Sequence, residues 1–130
     1  MPPVTSNELR RLAVVDDDAE VRVALTRLVA SAGFAVETFA SGAEFMRSVE
    51  DHEPDCLVLD LHMPGMSGFE LQIALAVAHP ALPVVVITGH DTPDSRERTL
   101  QLGAKAYLCK PVDDEDLLAA IDRAIGDASC

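Results

Sequence analysis

The chain has 130 residues, 48% of them hydrophobic and 25% charged, the make-up of one compact domain rather than of a disordered polymer. Its 22 acidic residues against 10 basic ones give a formal charge of −12, which makes nucleic acid a poor partner for this chain and favours divalent cations and basic surfaces. Met1 to Arg11 lacks the apolar stretch of a signal peptide, no apolar run is long enough to span a bilayer, and the three cysteines read as reduced thiols, so a cytoplasmic location away from the membrane is expected.

Residues 1–9, with Pro2, Pro3, Ser6 and Asn7, show no periodicity and read as a flexible lead-in. The first strand spans about Arg11 to Val15 and ends in Asp16 and Asp17. A helix follows, with Asp18 as its N-cap, Val21, Leu25, Leu28 and Val29 on its apolar face, and Gly33 just past its end. A strand near Phe34 to Phe39 leads to Ser41-Gly42-Ala43-Glu44, which has capping-box spacing and opens a second helix. The third strand is the unbroken apolar run Cys56-Leu57-Val58-Leu59, closed by Asp60. A turn, His62-Met63-Pro64-Gly65-Met66-Ser67-Gly68, carries it into a helix near Phe69 to Ala78.

After His79-Pro80, the run Val84-Val85-Val86-Ile87 ends in Thr88. Thr92 followed by Pro93 is the N-cap and first residue of a fourth helix that stops at Gly103. The last strand, Lys105 to Cys109, ends in Lys110-Pro111. The last helix begins near Asp113 and puts Leu117, Leu118, Ile121 and Ile125 on one face. Cys56 and Cys109 read as core fillers of their strands. Strict strand–helix alternation implies one parallel sheet covered on both faces, with right-handed crossovers. The expected organisation is a lead-in over 1–9, one domain over 10–127 and a short tail over 128–130.

In a parallel sheet the carboxyl ends of the strands share one edge, where ligands collect. Here that edge receives acids, a hydroxyl and an amine. If the first and third strands are neighbours, Asp16, Asp17 and Asp60 lie within a few ångströms of one another. Each close pair then repels by roughly 4 kcal/mol at about 4 Å and an effective dielectric of about 20. A shared cation relieves that repulsion, and an oxygen-only donor set fits magnesium better than structural zinc. Thr88 and Lys110 beside it suit a group with several anionic oxygens, such as a phosphoryl. A flavin carrier would have a small, glycine-rich phosphate loop where Asp16-Asp17-Asp18 stands. A hydrolase working through an aspartyl phosphate carries a second acid two residues after its nucleophile, where this chain has His62.

Asp16-Asp17, Asp60 followed by Met63-Pro64-Gly65 and Gly68, Thr88, and Lys110-Pro111 resemble the receiver domains of bacterial two-component response regulators. The likeness runs from about Leu12 to Ile125. It implies a flavodoxin-like (βα)5 fold with strand order 2-1-3-4-5 and Asp60 as phosphoacceptor. It also implies a magnesium ion on Asp17, Asp60 and the His62 carbonyl, with Asp16 acting through water, and Thr88 and Lys110 on the phosphoryl oxygens. The Lys110–Pro111 bond is similar to one that is cis in the family. Thr88 and Tyr107 would form the switch, the aromatic swinging inward as Thr88 moves, and Gly89 leaves room for the phosphoryl. Strand alternation is taken to place Tyr107 on the face opposite Cys109 and the neighbours of Leu108, near the fourth helix. Of the four histidines only His62 is expected near the site, its carbonyl mattering more than its ring.

The resemblance further implies a histidine kinase or phosphotransfer protein as partner, and no enzymatic activity beyond self-phosphorylation and slow autodephosphorylation. A homodimer through the fourth helix, last strand and last helix is a further expectation. The chain carries no helix-turn-helix or basic segment. The expected output is therefore transcription control through a domain outside it, with a stand-alone or hybrid-kinase receiver acting by docking as the alternative.

Overall fold

The computed structural model describes residues 10–129. Strands β1 (Arg11–Val15), β2 (Ala35–Phe39), β3 (Cys56–Asp60), β4 (Val84–Thr88) and β5 (Ala106–Cys109) alternate with helices α1 (Ala19–Ser31), α2 (Gly42–Val49), α3 (Gly68–Ala78), α4 (Pro93–Gln101) and α5 (Asp114–Ser129). The strands form one parallel sheet in the order β2-β1-β3-β4-β5. This is the expected flavodoxin-like arrangement.

Burial explains the sequence texture of the strands. Every residue of β3 and β4 is buried, because both faces of a central strand are covered, and so these runs carry no polar alternation. The edge strand β2 alternates instead, exposing Ala35 and Glu37. One face of the sheet packs Ala13, Val15, Leu57, Leu59 and Val86 against Phe45 of α2 and Leu71 and Leu75 of α3. The other face packs Leu12, Val14, Val58, Val85 and Ile87 against Leu25 and Val29 of α1 and Leu117 and Ile121 of α5. Among the described residues no helix is long and apolar enough to cross a membrane.

The helix starts follow their caps. Asp18, Ser41, Ser67 and Thr92 each accept a hydrogen bond from a backbone N–H in the first turn, and Gly33 and Gly103 close α1 and α4 with positive φ. The expected capping box at Ser41 is only half made. Its hydroxyl accepts from the Glu44 N–H, but the Glu44 carboxylate turns to that same hydroxyl at 3.4 Å instead of to the backbone. The complete box belongs to α3, where Ser67 and Glu70 satisfy each other's N–H and start the helix at Gly68.

Three expectations are corrected. Tyr107 and Cys109 share a strand face, as residues two apart must; both lie near Asp91, while Leu108 packs on the opposite side with α1 and α5. Cys109 is exposed rather than core-filling, because it ends the edge strand β5; Cys56 is buried, and that burial pushes its thiol up to about 12. Helix α5 runs to Ser129, so residues 128 and 129 of the expected tail belong to that helix. Cys130 and the lead-in over 1–9 lie outside the described residues.

Candidate functional site at the carboxyl edge of the sheet

Parallel pairing brings the strand ends together. Val15 is the register partner of Leu59, so Asp16 and Asp17 emerge beside Asp60. One carboxylate oxygen from each of Asp16, Asp17 and Asp60 lies within 4.8 Å of the others, the only such acid–histidine–cysteine cluster among the described residues. Asp16 and Asp60 are buried and Asp17 is exposed. The donor set is oxygen-only with one member open to solvent, which fits a hard divalent cation.

The buried acids have partners. Lys110 Nζ lies 2.9 Å from Asp16 Oδ2 and 3.6 Å from Asp60 Oδ1. The Asp18 N–H donates to Asp16 Oδ1 at 2.9 Å, and the His62 N–H reaches Asp60 Oδ1 at 3.5 Å. Lys110 leaves β5 through a cis bond to Pro111, and its own N–H is tied to the Thr88 carbonyl at 2.7 Å. In this state its ammonium is chiefly the counter-ion of Asp16. Thr88 is fully buried, and its hydroxyl accepts from the His90 N–H at 3.0 Å while donating to the His90 carbonyl at 3.3 Å. It is thus held by its own loop.

Burial raises the Asp60 carboxyl above its ordinary range, and the Asp16 charge adds to that; Lys110 opposes both. Burial lowers the Lys110 ammonium, but the hydrogen bond it donates to Asp16 and the charges of Asp60 and Asp16 outweigh it and leave its pKa raised. An acid whose folded pKa is raised destabilises the fold in its ionised form. That cost is absent below the ordinary carboxyl range and grows as pH rises through it. Asp60→Asn is therefore expected to stabilise the domain at pH 7 by about 1 kcal/mol, with the gain fading on acidification. Urea titrations at pH 7 and at acid pH measure it. A loss at pH 7, or a gain that does not vary with pH, would contradict this account.

Two neighbours, Arg22 and His90, were not identified from sequence, and a third, Gly68, gains a physical reason. Arg22 of α1 donates from Nη1 to the Asp16 carbonyl at 2.6 Å; its only signal was its place four residues after the cap Asp18. His90, expected away from the site, packs its ring edge-on to His62 with centroids 5.6 Å apart, because both loops leave the same sheet edge after adjacent strands. Gly68 is a steric requirement. A Cβ there would lie 2.7 Å from both the Asp60 carbonyl oxygen and Leu61 Cα, and its N–H donates to the Leu61 carbonyl at 2.9 Å. Tyr107 is already buried, its hydroxyl has no well-aligned hydrogen-bond partner, and burial followed by the Asp91 carboxylate pushes it up to about 12.

The profile of the response regulator receiver domain matches residues 12–122. The chain belongs to that family. This receiver domain is 41% identical over 112 residues to the DNA-binding transcriptional regulator NtrC of Escherichia coli strain K12, a match covering 86% of the domain and 24% of NtrC. It is 38% identical over 112 residues to the response regulator protein TmoT of Ectopseudomonas mendocina, covering 86% of the domain and 51% of TmoT. The match thus spans about a quarter of the first relative and about half of the second. Among solved structures, a CheY-like receiver domain protein from Methanospirillum hungatei JF-1 superposes with a TM-score of 0.88 at 27% identity, covering 93% of this chain and 97% of that one. The response regulator StyR superposes with a TM-score of 0.82 at 39% identity, over 93% of this chain and 61% of StyR.

Proposed function

We propose that Asp60 is a phosphoacceptor, taking a phosphoryl group from the phosphohistidine of a sensor kinase or phosphotransfer protein, or from a small acyl phosphate. An Asp60 carboxylate oxygen attacks phosphorus, the new O–P bond forms as the bond to the donor's nitrogen or oxygen breaks, and the departing group keeps the electron pair. The observation that carries the reading is the placement of a buried carboxylate at a strand end beside two further acids and 3.6 Å from a lysine ammonium. Transfer of this kind depends on positioning and charge neutralisation more than on proton transfer.

Asp17, Asp60 and the His62 carbonyl would hold magnesium, with Asp16 acting through water. Bound there, magnesium would supply positive charge against the acid cluster and the phosphoryl oxygens. The protein's own part is to keep Asp60 fixed by its strand and by the His62 N–H. Lys110 is kept within reach of the incoming oxygens, and the Thr88 hydroxyl is released from His90 to meet them. That release, with Tyr107 buried behind it, would bias the face made by α4, β5 and α5 and favour a homodimer there. The receiver is then a phosphorylated switch rather than an enzyme, with slow autodephosphorylation. Its output would lie in a domain outside this chain and act on transcription in the cytoplasm; the relative named as a DNA-binding transcriptional regulator supports the transcriptional part of this reading.

Intact-mass spectrometry after incubation with acetyl phosphate and magnesium is expected to show one added phosphoryl group. The adduct should disappear in Asp60→Ala, with a chelator present, and in Asp17→Ala, the last still folded. Unchanged labelling of Asp60→Ala would sink the assignment, and unchanged labelling of Asp17→Ala would remove the metal site.

A further inference from the structure

Helix α4 is almost free of apolar anchors. Its buried residues are Ser95 and Thr99, and their hydroxyls bond within the helix and its cap: Ser95 with Thr92, Thr99 with the Arg96 carbonyl. A helix that buries hydroxyls instead of hydrocarbon gains little from packing. Its position must therefore be set by specific contacts. The Arg98 guanidinium sits 4.2 Å from the Phe69 ring centroid, and that of Arg96 sits 5.5 Å from the Tyr107 ring centroid. Both arginines are exposed, so these contacts are weak.

A further contact, to α3, is buried. Gln72 of α3 is 3% exposed, and its Nε2 donates to the Thr99 carbonyl at 3.1 Å. That carbonyl also accepts from the Ala104 N–H at 3.1 Å, while the Gly103 N–H reaches Leu100 at 3.0 Å. Gln72 thus grips the atom on which the C-terminal closure of α4 turns. Its Oε1 is buried without a hydrogen-bond partner, and Gln72 lines a cavity of about 110 Å³ with Leu75, His79, Leu82, Leu102 and Gly103.

Four residues before Gln72, Gly68 donates its N–H to the Leu61 carbonyl at 2.9 Å and lies so close to the strand end that an added Cβ would meet the Asp60 carbonyl at 2.7 Å, and the capping box of Ser67 and Glu70 ties the first turn of α3. We propose that Gln72 is the positioning residue that holds α4 and, through α3, transmits to it a shift of the loop that follows Asp60, a route separate from Thr88 and Tyr107. The transmission rests on the switch reading above; the grip on α4 does not.

Native-state hydrogen exchange on the unphosphorylated protein tests the grip. In Gln72→Leu, the amides from Arg98 to Ala104 are expected to exchange about ten-fold faster than in wild type, with those of α1 and α5 unchanged. Gln72→Met carries the same test if the leucine variant does not fold. Unaltered exchange in α4 overturns the proposal. Amide shifts induced by beryllofluoride, a phosphoryl mimic, test transmission. In Gln72→Leu the shifts around Asp60 should persist while those from Thr99 to Ala104 fall to less than half, and full-size α4 shifts overturn the route. A wild-type protein that shows no shifts even at Asp60 would contradict the phosphoacceptor reading and with it the transmission role, leaving the grip to be judged by exchange alone.

Discussion

Lys110→Met is expected to lower the stability of the domain by about 3 kcal/mol, the lower end for breaking a buried ion pair. The lower end applies because the Lys110 side chain is 24% exposed while that of Asp16 is fully buried. The substitution keeps most of the aliphatic stem and removes the charge, so Asp16 is left with the Asp18 N–H as its side-chain partner. The pH dependence follows from the raised Lys110 pKa. Its contribution is complete below the ordinary lysine range and is lost as pH climbs through the raised value. Wild type should therefore lose stability at strongly alkaline pH where Lys110→Met does not. Adding Asp16→Asn to Lys110→Met should recover most of the loss, because the orphaned charge disappears. Urea midpoints for the four proteins of this cycle measure the coupling directly. A loss below about 1 kcal/mol for Lys110→Met would show that the pair contributes no more than an exposed salt bridge.

Gly68→Ala is expected to cost about 2 kcal/mol, in the range for overpacking a close contact, and to slow phosphoryl labelling of Asp60. Gly42→Ala is the matched control. Both glycines are the first residue of a helix and follow a serine cap, so helix propensity favours alanine equally at the two sites. They differ in what the new methyl meets. At Gly42 it meets the Met66 thioether at 2.9 Å, a side chain able to swing away, whereas at Gly68 it meets the backbone of Asp60 and Leu61 at 2.7 Å. Thermal unfolding should separate the pair clearly, with Gly42→Ala near wild type. Equal effects at both positions would mean that α3 slides without disturbing the strand end. An undiminished labelling rate in a destabilised Gly68→Ala would show that the Asp60 backbone is not what moved.

Much of the architecture was legible because it is written in short-range chemistry. A cap such as Asp18 or Thr92 acts on an N–H two or three residues away, and the burial of β3 and β4 leaves unbroken apolar runs. Strand ends bearing Asp16, Asp17, Asp60, Thr88 and Lys110 could be collected at one edge because parallel strands all point the same way. The half-made box at Ser41 marks the limit. Spacing permits Glu44 to reach back, but which acceptor its carboxylate faces depends on rotamers that spacing does not fix.

The sequence by itself determined the order of elements, the acid–hydroxyl–amine composition of the carboxyl edge and the membership of its main residues, since each is a local or topological property. Only the tertiary structure decided how those groups are spent. It paired Lys110 with Asp16, 94 residues away, turned the Thr88 hydroxyl to His90, set His90 against His62 and left Cys109 exposed at the sheet edge. It also placed Gln72 under the carbonyl of Thr99 and Arg22 under that of Asp16. These choices rest on which elements become neighbours and on the room left between them. Such adjacency is a property of the packed whole, in which a buried polar atom takes the partner that packing brings within about 3 Å.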